Sequence, residues 1–224
     1  MTGKELPRIR TEIPGPKSQA WIDKLSKYEC PAITARRSRR AESLGVAKDD
    51  PIVWESAVGS NVTDVDGNVF IDLTAGFGVA GVGHRNPSVS SAGAQQLQQL
   101  IHAMGDAFPD PTRIRLLEKL SLCSTMDRAI LGCSGSDSID AAVKTAWLAS
   151  GRSKVLAFSN SYHGLAFGSL PTTDYKANYF RKPFADQLGR HVVHHPFGEP
   201  LPDLKSFGAV LVEPIQGRGG IRTP

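Results

Sequence analysis

Residues 128–158 read RAILGCSGSDSIDAAVKTAWLASGRSKVLAF, and the order of elements in that stretch decides the fold. Ala129-Ile130-Leu131 is predicted as a short strand, followed by the small-residue loop Gly132-Cys133-Ser134-Gly135-Ser136. Behind the loop, Ile139, Ala142, Val143, Ala146, Trp147 and Ser150 recur at the three-and-four spacing of an amphipathic helix. Gly151 closes that helix as a C-cap. Residues 154–158 then form a second strand, whose consecutive apolar residues signal burial on both faces. Strand, glycine loop, helix, strand is the βαβ signature of a parallel sheet covered by helices, so the chain is α/β.

Working outward, residues 190–193 and 207–212 read as two more buried strands. Upstream, residues 110–122 form a helix with Asp110 as cap and Pro111 in its first turn, with Ile114, Leu117 and Leu120 on one face. A further helix covers 88–104, opened by Ser88. Residues 58–65 and 69–73 flank Asp66-Gly67-Asn68, a hairpin signal with Gly67 at the left-handed turn position. Residues 1–50 read as an arm of turns and short helices, interrupted by Pro7, Pro14, Pro16 and Pro31, with a weak helix over 18–26. The division expected falls after residue 75: 1–75, the arm and hairpin, and 76–224, the α/β portion.

The 224 residues are 40% hydrophobic and 21% charged, the balance of a globular protein. Lys and Arg number 26 against 22 Asp and Glu, a formal charge of +4 that suits small anions and does not require nucleic acid. The basic cluster Arg36, Arg37, Arg39 and Arg40 lacks interleaved aromatics and reads as a solvated helix face. Apolar runs such as 209–212 are too short to cross a bilayer, and the first twenty residues lack the apolar core of a signal peptide. Cys30, Cys123 and Cys133 have no zinc spacing and read as reduced thiols, so a cytoplasmic location is expected.

Several motifs invite a chemical reading. Gly76-Phe77-Gly78-Val79-Ala80-Gly81 matches GxGxxG, but the glycine- and proline-rich continuation to Pro87 leaves no helix to face a pyrophosphate. A loop needing flexible backbone beside a ligand is the better reading. Ser134 and Ser136 do not fit the GxSxG nucleophile elbow. His191, His194 and His195 are read as strand-end histidines, and no metal site is assigned. Ser134-Gly135-Ser136 sits where free N–H groups and the positive end of a helix face outward, which suits a monophosphate; a plain N-cap is the alternative.

The loop keeps company with Asp64-Val65-Asp66-Gly67-Asn68, Asp72-Leu73, Ala75-Gly76, Gly83-His84 and Pro87 upstream. Downstream follow Tyr162-His163-Gly164 and Glu213-Pro214-Ile215-Gln216-Gly217. In order and spacing this series resembles the class III aminotransferases, pyridoxal-phosphate enzymes of fold type I that act on ω-amino acids and terminal amines. The resemblance runs from about residue 50 to the last residue, and the joint occurrence of the motifs makes it specific.

The resemblance implies a fold type I transferase: a partial large domain with a mostly parallel sheet flanked by helices, preceded by the arm and a small β-hairpin region. It implies that pyridoxal 5'-phosphate is held by its phosphate at Gly135 and Ser136, with Ser134 adjacent. Tyr162 is implied to stack on the pyridine ring, His163 to support that loop, and Glu213 to organise the polar network around the cofactor. The implied partners are an amine or ω-amino acid, 4-aminobutyrate-like, and a 2-oxo acid, in a homodimer, with neither nucleic acid nor membrane.

Asp137 stands where the family often has glutamate, Leu165 where many relatives carry a carboxylate-clamping arginine, and Arg218 where glutamate is frequent. Arg218 either supplies the missing carboxylate contact or pairs with an acid elsewhere. By the same resemblance, the cofactor-anchoring lysine and the aspartate facing the pyridine nitrogen lie beyond Gly217. Lys144 and Lys154 match no anchoring motif, so no catalytic residue is assigned within 1–224. The chain therefore reads as the amino-terminal portion of a transaminase, inactive as it stands. An aminomutase or decarboxylase of the same fold, or a non-catalytic remnant that binds a phosphate ligand or a partner, is the alternative.

Overall fold

The computed structural model describes residues 3–33, 35, 39, 42, 45 and 51–224. Arg36, Arg37 and Arg40 of the basic cluster lie outside them, and Arg39 is exposed. The chain divides into two compact units, Met1–Phe108 and Pro109–Pro224.

The first unit contains α1 (Pro16–Tyr28), the strands β1 (Trp54–Val58), β2 (Asn61–Asp64) and β3 (Val69–Ile71), and α2 (Pro87–Gln99). The three strands form an antiparallel meander in that order. The expected hairpin is there between β2 and β3, with its strands shortened. The break comes at Gly59, where a Cβ would stand 2.8 Å from Gly3 O, so the arm crosses against bare backbone.

The aspartates and asparagines of the 61–68 segment tie the arm down. Asn61 is a two-way clamp on Glu5, accepting its N–H (2.8 Å) and donating to its carbonyl (2.9 Å). Asp64, fully buried, accepts from the N–H of Asp66 and from both the N–H and the side-chain amide of Asn68. Asn68 in turn accepts from the N–H groups of Arg10 and Thr11. The carboxylate of Asp66 accepts from the N–H of Lys17 and of Ser18, both at 2.8 Å. It thereby caps α1, whose own N-cap, Gly15, has no side chain to do so. Asn86, not Ser88, caps α2, with Pro87 in the first turn, and that helix ends at Gln99 instead of 104.

The second unit holds α3 (Pro111–Cys123), α4 (Gly135–Ser150), β4 (Lys154–Phe158), a one-turn 3-10 helix at Leu170–Thr172, and α5 (Ala177–Phe180). A second 3-10 turn at Lys182–Phe184, then β5 (Val192–His195) and β6 (Phe207–Val210), complete it. The sheet is parallel, order β5-β4-β6, as a βαβ chain requires. Val155, Leu156, Ala157 and Phe158 of the central strand are buried and form the core with Leu170.

Three strand expectations are corrected in this unit. Residues 129–131 form no strand: no neighbour pairs with them among the described residues, and Ile130 is 75% exposed. The strand expected at 190–193 lies at Val192–His195, because its register sets Ala157 against His194 and Phe158 against His195. The strand expected to reach 212 stops at Val210. The stripe along α4 is present in sequence, yet no residue of the helix is buried and Trp147 is 56% exposed.

Candidate functional site

The amino terminus of α4 is built by two reciprocal side-chain bonds. Ser134, in extended conformation, accepts the N–H of Asp137 on its hydroxyl (3.1 Å). Asp137 reaches back to accept the N–H of Cys133 (2.9 Å). The acid that shortens the family's glutamate is thus occupied in capping. The N–H groups of Gly135 and Ser136 find no acceptor among the described residues, and nothing lies within 4 Å of a Cβ built on Gly135. Two donors at the positive end of a sixteen-residue helix therefore face open space.

The Ser136 hydroxyl oxygen accepts the N–H of Leu165 (3.1 Å), which joins this loop to the one beyond β4. Gly164, at φ +120°, packs so close that a Cβ there would stand 2.9 Å from Ser136 Cα. The β4 loop is itself braced from below. Ser161 O accepts from the N–H groups of Asp174 and Tyr175, and Thr173 Oγ1 accepts from His163 N–H (2.9 Å) while donating to Gly164 O (2.8 Å). Asp174 accepts the N–H of Asn160 and pairs with Arg181 at 2.9 Å. Arg181 in turn meets the His194 ring.

Tyr162 donates its N–H to Glu213 Oε1 at 2.9 Å, joining the β4 loop to the segment that follows β6. Gln216, fully buried, donates to Ser159 O at 2.8 Å, and its main chain makes two bonds with Arg222. Those bonds close a loop carrying Arg218, whose guanidinium lies over the Tyr162 ring, 4.3 Å from its centre. Tyr175 meets the same ring edge-on. Three buried polar atoms in this network have no partner among the described residues: His163 Nε2, Glu213 Oε2 and Gln216 Oε1. Burial, with the nearby His194 second, pushes His163 down to about 4, so its ring is neutral at physiological pH.

Of the five residues singled out in the sequence, Ser136, Tyr162 and Glu213 are joined through the β4 loop at the carboxyl ends of β4 and β6, where open α/β sheets take their ligands, and Ser134 and Gly135 adjoin Ser136 at the start of α4. The sequence assigns no role to Gln216, named only as part of its motif, or to Thr173 and Asp174, and all three hold the loops in place. Thr173 and Asp174 lie in the polar run that follows the Leu170–Thr172 turn, and Gln216 lies inside the motif that begins at Glu213. Lys144 is paired with Asp140 at 2.6 Å, and Lys154 is exposed at the start of β4, the end away from these loops. His195 contacts Pro200 O, and no group of three His, Cys, Asp or Glu side chains is arranged to hold a metal among the described residues. Residues 74–82 run in turns and open no helix. No helix among the described residues is long and apolar enough to cross a membrane.

The profile of the class-III aminotransferases matches residues 45–224. Acetylornithine aminotransferase of Methanothermobacter thermautotrophicus is 32% identical over 78% of this chain and 45% of its own length. The 4-aminobutyrate aminotransferase of Mycobacterium bovis is 31% identical over 97% of this chain and 52% of its own. An amine transaminase from an uncultivated Pseudomonas species, solved in its PLP-bound form, superposes with a TM-score of 0.69 at 25% identity. It covers 79% of this chain and 47% of that one. The chain spans about half the length of the curated relatives it matches.

Proposed function

The chain belongs to the class-III aminotransferases, and on that premise we propose that the whole protein is a pyridoxal 5'-phosphate-dependent transaminase. It moves an amino group from a terminal amine or ω-amino acid, 4-aminobutyrate-like in chemistry, to a 2-oxo acid. The observation that carries this reading is the link from Ser136 through Leu165 and Tyr162 to Glu213, with Glu213 Oε2 left buried and unpartnered. A buried carboxylate oxygen without a donor costs free energy unless a bound group supplies one.

The residues fit the cofactor. The open space at Gly135 admits a phosphate, and the N–H groups of Gly135 and Ser136, with the Ser136 hydroxyl proton, are donors for it. The Tyr162 ring is the flat surface against which a pyridine can lie, fixed in place through its main-chain bond to Glu213. When bound, pyridoxal phosphate supplies the carbonyl that takes up the amino group and the ring that draws off electrons as the neighbouring C–H bond breaks. Glu213 keeps one oxygen on Tyr162 and offers the other to the polar network of the site.

No anchoring lysine is assigned within the network, from which Lys144, paired with Asp140, and Lys154, at the far end of β4, both lie away. Residues 1–75 are assigned to the small-domain part and 76–224 to the cofactor domain. A homodimer in the cytoplasm is the accompanying proposal; three exposed free cysteines are compatible with a reducing compartment. The test uses the full-length protein. Ser136→Glu sets a carboxylate against the phosphate and should weaken pyridoxal-phosphate binding, followed by equilibrium dialysis, at least about tenfold. Amine consumption that depends on a 2-oxo acid should accompany cofactor binding in the parent. Unchanged affinity in the variant would overturn the phosphate assignment, and carbon dioxide release without amino transfer would favour the decarboxylase alternative.

A further inference from the structure

We propose that the first unit carries a second anion site, built from residues other than those of the cofactor loops, which takes a small polyanion bearing phosphoryl or carboxylate groups. Sheet register builds it. Ser56 is opposite Thr63, Thr63 is opposite Val69, and Val69 is bridged to Arg8 by a reciprocal pair of 2.9 Å main-chain bonds. Residues in one lateral row of a sheet project to the same face, so two hydroxyls, an apolar floor and a guanidinium share that face. Arg10, two residues further along the arm, lines the same cavity as Arg8. Its backbone is fixed by the bond from its N–H to Asn68 (2.7 Å).

The third arginine arrives from elsewhere in the unit. His84 and Gly59 exchange main-chain bonds of 2.8 and 2.9 Å, which bring the chain before α2 against the end of β1. The next residue, Arg85, is held at φ +51°, a conformation costly for a side chain of its size. Backbone strain of this kind persists where the surrounding structure enforces it. Here it accompanies an arginine that lines the cavity.

The three arginines, Ser56, Thr63 and Val69 all line one cavity of about 530 Å³, within the size range of small-molecule sites. No acidic side chain lines it, and none of the three guanidinium groups has a carboxylate partner among the described residues. The chain as a whole has nearly as many acids as bases, so a cavity with three cations and no anion is a local imbalance. Guanidinium forks match planar and tetrahedral oxyanions through paired N–H bonds, and three of them around one space suit a ligand with more than one anionic group.

The experiment is calorimetric titration of the full-length protein with pyrophosphate and, separately, with citrate. It is run in a Ser136→Glu background so that the start of α4 cannot take the probe, which keeps the outcome independent of the cofactor reading. At least one probe should bind with a dissociation constant of about 1 mM or tighter. Affinity should fall at least tenfold in Arg10→Gln and in Arg85→Asn, the latter chosen because asparagine tolerates the left-handed backbone. Both leave the main-chain bonds of the sheet in place. Pyrophosphate binding alone identifies a phosphoryl ligand, and citrate binding alone a polycarboxylate. Failure of both probes, or binding that neither substitution changes, overturns the site.

Discussion

Replacing Gly164 by alanine should separate the two loops that meet at the candidate active site. A Cβ at this position would overlap the Ser136 hydroxyl and stand 2.8 Å from Ser169 Oγ and 2.9 Å from Ser136 Cα. A hydroxyl can rotate away, but a Cα cannot. The backbone at φ +120° adds a cost of about 1–3 kcal/mol for any residue other than glycine. Forcing a methyl group against the first turn of α4 adds roughly 1–3 kcal/mol more. Moving the loop to relieve this loses the bond from Leu165 N–H to Ser136, worth about 1 kcal/mol. A destabilisation of about 2 kcal/mol or more is therefore expected, with cofactor affinity reduced at least about tenfold. Gly135→Ala is the matched control. Nothing lies within 4 Å of a Cβ there and its helical backbone suits alanine, so the fold should be unaffected. Only a ligand on the Gly135 and Ser136 N–H groups would meet the new methyl, and affinity should drop with stability unchanged. Urea unfolding of the full-length protein without cofactor, paired with equilibrium dialysis of pyridoxal phosphate, reads both quantities. A Gly164→Ala variant as stable as the parent would refute the close packing. A Gly135→Ala variant that binds the cofactor normally would refute the phosphate position.

Asp66→Ala should expose the first turn of α1, seen as faster hydrogen exchange at the amides of Lys17 and Ser18 while the sheet amides keep their protection. His163 is held neutral in the fold, its pKa lowered from 6.5 to about 4 by burial first and His194 second. A depressed folded value means the unfolded chain binds the extra proton. The stability concerned is thus full above pH 6.5 and lost as the pH falls towards 4. Melting curves across that window should show a slope that His163→Phe reduces; a slope unaltered by the change would place the acid sensitivity elsewhere. Part of it should survive, because burial lowers His194 as well. Arg218→Ala removes a ring contact worth about 0.5–1 kcal/mol. If the guanidinium also meets a substrate carboxylate, KM for the 2-oxo acid should rise about tenfold with little change in kcat; an unchanged KM confines Arg218 to packing on Tyr162.

The parallel sheet was legible because two independent signals coincide at residues 128–158: a helical period and an all-apolar strand behind a small-residue loop. β4 falls where that pattern puts it, and Ser134 and Gly151 delimit α4 as cap chemistry demands. What failed was pairing. Ala129-Ile130-Leu131 has the composition of a strand, but a strand exists only where a neighbour takes its N–H and C=O groups, and none does so among the described residues. The two-residue displacement of β5 has the same origin. Its apolar pair Val192-Val193 was read as the strand's end, whereas register with β4 draws His194 and His195 into the ladder.

At the site, the motif residues were legible as a set, while the division of labour among them was not. Ser134 and Ser136 look equivalent in a sequence, yet one hydroxyl caps its own helix and the other holds Leu165 from the neighbouring loop. Asp137 is drawn into the first of these tasks, which explains how a shorter acid serves there: it needs only to reach the N–H of Cys133, 2.9 Å away. The same logic applies to Leu165, whose side chain invites comparison with an arginine but whose N–H makes the structural contact. A main-chain role places no demand on side-chain identity, so substitution at 165 leaves the joint between the loops intact. The loop after β6 offers Arg218, laid across Tyr162 by a turn that Gln216 and Arg222 close. The cation over Tyr162 thus comes with the loop after β6, whereas the bonds that hold the loops together are main-chain and polar.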